Sequence, residues 1–209
     1  MLRELIGSRT NQDKGLKPLA HHQIKPGDPF MAVRLSSGSH RASHPPELRP
    51  TAGRTLESVF SMLNGEIADR RVLDLYSGVG SYGIMALRGG AEVAVFVDNT
   101  REAEKRVERA LRKHHLEAQA MIFREDVAHF LHAPERWAEP FDLVFADPPY
   151  NAQAPGPVIE AILDSGLLAS GGVLVFEHSK RQAPPEFPDL ELRRSRIFGE
   201  TTVSIWDHK

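Results

Sequence analysis

From residue 71 onward, short apolar runs alternate with amphipathic stretches. Residues 72–75, 93–97, 120–123, 143–146 and 173–177 read as strands, and residues 82–88, 101–115, 127–132 and 158–163 between them read as helices. Along 101–115, Ala103, Val107, Ala110 and Leu111 share one face, while Glu102 with Arg106 and Glu108 with Arg112 form outward pairs four residues apart. Near-continuous apolar strands joined by helices predict a parallel sheet covered on both faces, with right-handed crossovers. The ending differs. Residues 190–197 and 201–206 are separated only by Phe198, Gly199 and Glu200, which predicts an antiparallel hairpin. The expected fold class is therefore α/β, Rossmann-like, with a mostly parallel seven-stranded sheet and a C-terminal antiparallel hairpin.

Upstream the pattern is thinner. Thr51 is a candidate N-cap, and Leu56, Val59, Phe60 and Leu63 place one apolar stripe on a helix ending near Asn64 and Gly65. Residues 30–35 have strand-like content and 36–46 are turn-rich, so a short strand or hairpin is expected there. Residues 1–29 show no sustained period and carry Gly7, Gly15, Pro18, Pro26, Gly27 and Pro29, as a loosely ordered leader would. Three segments follow: a leader over 1–29, a small N-terminal extension over 30–64, and a main domain over 65–209.

Composition narrows the function classes. None of the 209 residues is cysteine, which removes disulfides, thiolate nucleophiles and Cys-based metal sites, and makes a reducing cytoplasm the expected home. No apolar run approaches the ~20 residues that span a bilayer, so no membrane partner is expected. The net charge of −2 conceals an asymmetry: residues 1–58 hold 9 basic and 5 acidic side chains, and residues 59–177 hold 11 and 18. A cationic front end is what polyanion binding needs, although a mildly basic tail is the simpler account until other chemistry supports it.

Gly78, Gly80 and Gly83 complete a G-x-G-x-x-G between a strand and a helix. That pattern alone fits a dinucleotide pyrophosphate at a helix N-terminus. Asp74 argues otherwise. A carboxylate at the end of the first strand would face the ligand and repel a pyrophosphate, whereas S-adenosylmethionine carries a cationic amino group and a sulfonium. The run Asp74, Leu75, Tyr76, Ser77, Gly78, Val79, Gly80 thus suits that methyl donor better. Asp98, closing the second strand with Asn99 beside it, can accept from ribose hydroxyls, or simply cap the next helix. Asp126 can meet an adenine amino group with Val127 packing against the ring, or serve as an N-cap.

Asp147, Pro148, Pro149 and Tyr150 follow the fourth parallel strand, at the sheet edge where α/β ligands bind. Two prolines fix two φ angles and would hold the Asp147 side chain and the Pro148 carbonyl as a rigid acceptor pair. A planar exocyclic amine needs such acceptors to be oriented toward a sulfonium methyl. Tyr150 offers a face for a base taken out of its stack. A purely structural turn is the competing account.

These residues carry a resemblance. The segments R-P-T-A-G-R-T-L-E-S-V-F (residues 49–60), V-L-D-L-Y-S-G-V-G-S-Y-G (72–83), D-P-P-Y (147–150) and F-G-E-T-T-V-S-I-W (198–206) resemble, in order, the RsmD family of small-subunit (16S) ribosomal RNA guanine-N2 methyltransferases. The resemblance implies a Rossmann-like class I SAM-dependent methyltransferase fold, S-adenosylmethionine as donor, and methylation of one guanine in ribosomal RNA or a small-subunit assembly intermediate; a monomer is the expected state. Two departures concern RNA contact: residues 34–41 keep Gly38 and Arg41 but carry less charge than the family's hairpin, and Gly53 stands where the family has Asp before its Arg. Arg34, Arg41, Arg49 and Arg54 are the expected phosphate contacts.

Other features are assigned more plainly. His129 and His132, like His114 and His115, lack a completed ligand set, so no metal is expected. Phe123, Phe130, Phe141, Phe145 and Phe176 read as core, and Glu177 and His178 are secondary candidates for the crevice. Methyl transfer to adenine or a protein glutamine amide, a non-catalytic RNA-binding assembly factor, and a nicotinamide-dependent oxidoreductase are the rival functions.

Overall fold

The computed structural model describes residues 50–149 and 155–209. Helix α1 (Pro50–Met62) precedes β1 (Arg71–Leu75), α2 (Ser81–Arg88), β2 (Val93–Val97), α3 (Arg101–His114), β3 (Ala120–Phe123), α4 (Val127–Leu131), β4 (Phe141–Ala146), α5 (Pro155–Asp164), β5 (Leu168–Ser179), β6 (Leu190–Phe198) and β7 (Thr201–His208). The seven strands form one sheet in the order β3-β2-β1-β4-β5-β7-β6. The first five are parallel, and β7 runs antiparallel to both β5 and β6. The seven-stranded architecture and closing hairpin predicted from the pattern are those observed. The leader and the 30–35 strand lie outside the described residues.

Side-chain alternation divides the core. Val72, Phe96, Phe145, Val175 and Ile205 face α1, α2 and α3, represented by Val59, Leu63, Ile84 and Val107. Leu73, Val95, Val144, Phe176 and Trp206 face α4 and α5, with Phe130, Ile159 and Ile162. Strands buried on both sides cannot show the polar alternation of a half-exposed sheet, which is why they read as continuous apolar runs. The α1 stripe behaves as its spacing predicts, with Val59 and Leu63 fully buried and Leu56 and Phe60 packed at the margin.

Strand order reverses direction between β1 and β4. Chain leaving β1 turns one way and chain leaving β4 the other, opening a crevice at their carboxyl ends. The loops after β1 and β2, residues 147–149 after β4 and the end of β5 converge on that edge.

Candidate active site

Asp74 lies on the last turn of pleat in β1 and is 2% exposed. One carboxylate oxygen accepts the Gly83 N–H of α2 at 2.9 Å, tying strand to helix across the glycine loop. The close approach requires glycine at 83: an added Cβ would stand 2.3 Å from Phe96 Cε1. Gly80 caps α2 in the left-handed region, at φ 77°. Tyr76 also has positive φ, 56°, unusual for a bulky side chain, and marks the tight turn at the strand end. Ser77 is buried, its N–H donating to the Val97 carbonyl of β2 at 3.0 Å.

Asp98 fastens the same loop from the β2 side. Its Oδ2 accepts Gly78 N–H at 3.0 Å, and its Oδ1 accepts both the N–H and hydroxyl of Thr100, at 2.9 and 2.7 Å. With about four lone-pair sites on a carboxylate, these bonds leave about one for a ribose hydroxyl. Asn99 beside it is exposed. Asp126 N-caps α4, its Oδ1 accepting Ala128 N–H at 2.9 Å and His129 N–H at 3.4 Å. Val127 turns into the second core and is 3% exposed, so its side chain is not presented to the crevice. His129 and His132 face Glu125 and the Ala128 carbonyl.

Asp147 follows β4, with Pro148 half-buried and Pro149 exposed after it. In the parallel registers, Asp74 is level with Phe145 and Ala146 with Phe176, so Asp147 comes next to Glu177 at the end of β5. Phe145 and Val175 share the face of α1 to α3, and Asp147 and Glu177, two residues on, continue it. The Tyr82 hydroxyl of α2 donates to Glu177 Oε1. Tyr82 in turn stacks on Phe145, centroids 4.6 Å apart, and Phe60 of α1 stacks on Phe145 at 5.8 Å.

The electrostatics follow from four carboxylates at one edge. Burial, with Asp147 and Asp98 nearby, raises the Asp74 pKa well above the usual carboxylate range against the lowering effect of its Gly83 bond. Desolvation, then the Glu177 charge, pushes Asp147 up to about 7. Asp147 is itself exposed, so solvent screens both the desolvation and the Glu177 charge and moderates that push. Burial raises Glu177 as well, opposed by the Tyr82 hydrogen bond. Among the described residues no Lys or Arg forms an ion pair with Asp74, Asp98, Asp147 or Glu177. An acidic edge with no cationic partner among the described residues fits a cationic ligand such as a sulfonium and opposes a pyrophosphate.

Of the expected site residues, the fold gathers Asp74, Tyr76, Ser77, Gly78, Gly80, Asp98, Asp147 and Pro148 around the strand ends. Arg34, Arg41, Arg49 and Tyr150 lie outside the described residues; Arg54 is exposed on α1. Glu177 is the residue that sequence reasoning underrated. Its only signal was position at the end of the fifth strand, and its partners Tyr82 and Asp147 lie 95 and 30 residues away along the chain.

Strand order 3-2-1-4-5-7-6 with a glycine loop and acidic strand ends at the β1/β4 switch point defines a class I SAM-dependent methyltransferase fold. Solved structures agree. The Escherichia coli protein yhhF superimposes with TM-score 0.69 at 24% identity, over 85% of this chain and 98% of that one. SMU.776, solved complexed with SAH, gives TM-score 0.56 at 19% identity over 72% of this chain and 48% of that one. The family model described as "Conserved hypothetical protein 95" matches residues 38–207. YlbH of Bacillus subtilis is 34% identical over 159 residues, 76% of this chain and 86% of that protein. Ribosomal RNA small subunit methyltransferase D of Escherichia coli is 26% identical over 166 residues, 78% and 81% of the two chains. The chain belongs to the RsmD/YlbH family of ribosomal RNA methyltransferases. Among the described residues no helix is long and apolar enough to cross a membrane.

Proposed function

We propose that this protein methylates the exocyclic N2 of a guanine in small-subunit ribosomal RNA, acting on the RNA or on an assembly intermediate of the small subunit. The observation that carries the reading is the placement of Asp147, on its rigid Pro-Pro turn, across the β1/β4 switch point from Asp74 and the glycine loop. One crevice then serves donor and acceptor together. Family membership supports ribosomal RNA as the substrate class.

When bound, S-adenosylmethionine supplies a methyl group on positively charged sulfur. Asp74, Gly78, Gly80 and Asp98, with Tyr76 and Ser77 shaping the turn, hold the donor; its cationic groups stabilise the ionised forms of these carboxyls and are favoured by them over uncharged ligands. Asp147 and the Pro148 carbonyl accept the two N–H groups of the guanine amine and orient its nitrogen, a positional contribution. Tyr150 supplies the stacking face for the extruded base, and Arg34, Arg41, Arg49 and Arg54 contact phosphates. As the nitrogen takes the methyl, Asp147 accepts the proton it sheds. A carboxylate with a pKa near 7 does this better than an ordinary one, because general-base efficiency peaks when the pKa lies near the working pH.

The test is labelled methyl transfer to small-subunit RNA and to small subunits from cells lacking the enzyme, followed by nucleoside analysis. N2-methylguanosine is the expected product; label in N6-methyladenosine or in protein overturns the acceptor assignment. Replacing Asp147 with Ala should reduce transfer by at least 100-fold, about the lower bound for a lost general base, while calorimetric binding of S-adenosylmethionine stays within a few-fold. Wild-type turnover in that variant would remove Asp147 from the mechanism.

A further inference from the structure

We propose that Glu177, held in place by the Tyr82 hydroxyl, is a positioning residue that forms a proton-sharing carboxyl pair with Asp147 and thereby readies Asp147 to take the proton of the methylated amine. The inference deepens the function proposed above and rests on it for the role of Asp147, although the pair itself can be measured without any turnover.

Three observations of geometry carry it. The β4–β5 register ends with Ala146 opposite Phe176, so Asp147, the first residue beyond β4, comes next to Glu177, which is still on β5, and the Glu177 charge acts on it. Glu177 is half-buried, and it is not left to swing: Tyr82 donates to its Oε1. Tyr82 cannot swing either, being 8% exposed and stacked at 4.6 Å and 17° on Phe145, the residue two before Asp147. Phe60 closes the stack from α1, 6.5 Å from the Tyr82 ring and 5.8 Å from Phe145. An aromatic ladder thus fixes the distance between one carboxyl and the strand that bears the other.

Among the described residues, the titratable groups acting on the pair are acidic or phenolic. Asp74 of β1 lies beside Asp147, Asp98 of β2 acts on Asp74, and Tyr82 comes from α2. Across the next strand pair Glu177 is level with the apolar Val203 of β7. Two carboxyls so placed cannot both ionise freely, and one proton is held between them into the neutral range. Tyr82 settles its location. By donating to Glu177 Oε1 it favours the ionised form there, against the raising effect of burial, and so directs the proton-accepting change to Asp147, which has no such donor among the described residues.

The step balances. The amine nitrogen's lone pair forms the N–C bond, the C–S electron pair returns to sulfur to give neutral S-adenosylhomocysteine, and the N–H bond electrons stay on nitrogen as its proton passes to an Asp147 oxygen. Release of that proton to water resets the site.

The test uses the full chain without ligand, its aspartate and glutamate carboxyl carbons labelled with ¹³C and titrated by NMR, the Asp147 resonance identified by its loss in Asp147→Asn. In the wild type Asp147 should titrate near neutrality. Glu177→Gln removes the like charge and should lower that midpoint by about one pH unit or more. Tyr82→Phe should lower it too, since an unbonded Glu177 keeps its own proton and becomes neutral. The acidic limb of the pH–rate profile for methyl transfer should move the same way in both variants. A wild-type midpoint near 4, or an unchanged midpoint in both variants, overturns the proposal; Tyr82→Phe, which removes one oxygen, decides alone should Glu177→Gln fail to fold. An Asp147→Ala variant that retains wild-type turnover would sink the function proposed for Asp147 while leaving the titration result standing, so the two failures are distinguishable.

Discussion

Position 83 shows how much one missing carbon accomplishes. Alanine there would gain up to about 1 kcal/mol of helix propensity over glycine. Its Cβ would also fall 2.3 Å from a ring atom of Phe96, which is fully buried and cannot step aside. Overpacking of this kind costs about 1–3 kcal/mol, so the clash wins. Gly83→Ala should therefore lower the urea midpoint, and it should weaken S-adenosylmethionine binding because the Gly83 N–H is what holds Asp74. An unchanged or higher midpoint would show that strand and helix separate more easily than this geometry allows. Asp74, the glycines and Asp147 were legible as single residues because each breaks a local pattern at the end of an apolar run. Their bonds were not. That Asp98 uses about three of its four acceptor sites on Gly78 and Thr100 is decided by where the loop comes to rest.

At the scale of elements, α1 joins the cationic front of the chain to the catalytic edge. Its buried stripe was readable from 3.6-residue periodicity, but periodicity cannot say that Phe60 on that stripe meets Tyr82 and Phe145. Its outer face carries exposed Arg54. Arg54→Ala should weaken binding to small-subunit RNA and reduce the slope of log affinity against log salt by about one phosphate contact, leaving the unfolding free energy within about 0.5 kcal/mol of wild type. Equal affinity and slope would place the RNA elsewhere. Strands β4 and β5 teach the complementary lesson. Each was visible as an apolar run, yet the register that sets Asp147 beside Glu177 depends on pairing between segments that are separate in sequence. For that reason Glu177 stood out weakly and its pairing with Asp147 not at all.

The whole molecule carries the thermodynamic consequence of concentrating carboxylates at one edge. Asp74, Asp147 and Glu177 all have folded pKa values raised above their unfolded ones. The folded state then binds more protons than the unfolded chain, so their contribution is fully present below about pH 4 and is lost as pH rises, through about 7 for Asp147. His178, lowered by burial, acts oppositely at acid pH, so the effect is best read as a difference between variants. Asp147→Asn should raise the Tm of the ligand-free protein by about 2–4 °C at pH 8, and the gain should vanish toward pH 4. A gain that is independent of pH would mean that packing, not charge, is responsible. The sequence by itself determined the order and kind of elements, the two-sided burial of the sheet and the chemistry of the strand-end residues, because periodicity and turn chemistry are local. Only the tertiary structure decided which carboxyls share a field, which of their oxygens remain open, and which aromatic rings hold them. Those properties arise from strand register and inter-element distance, which no local pattern encodes.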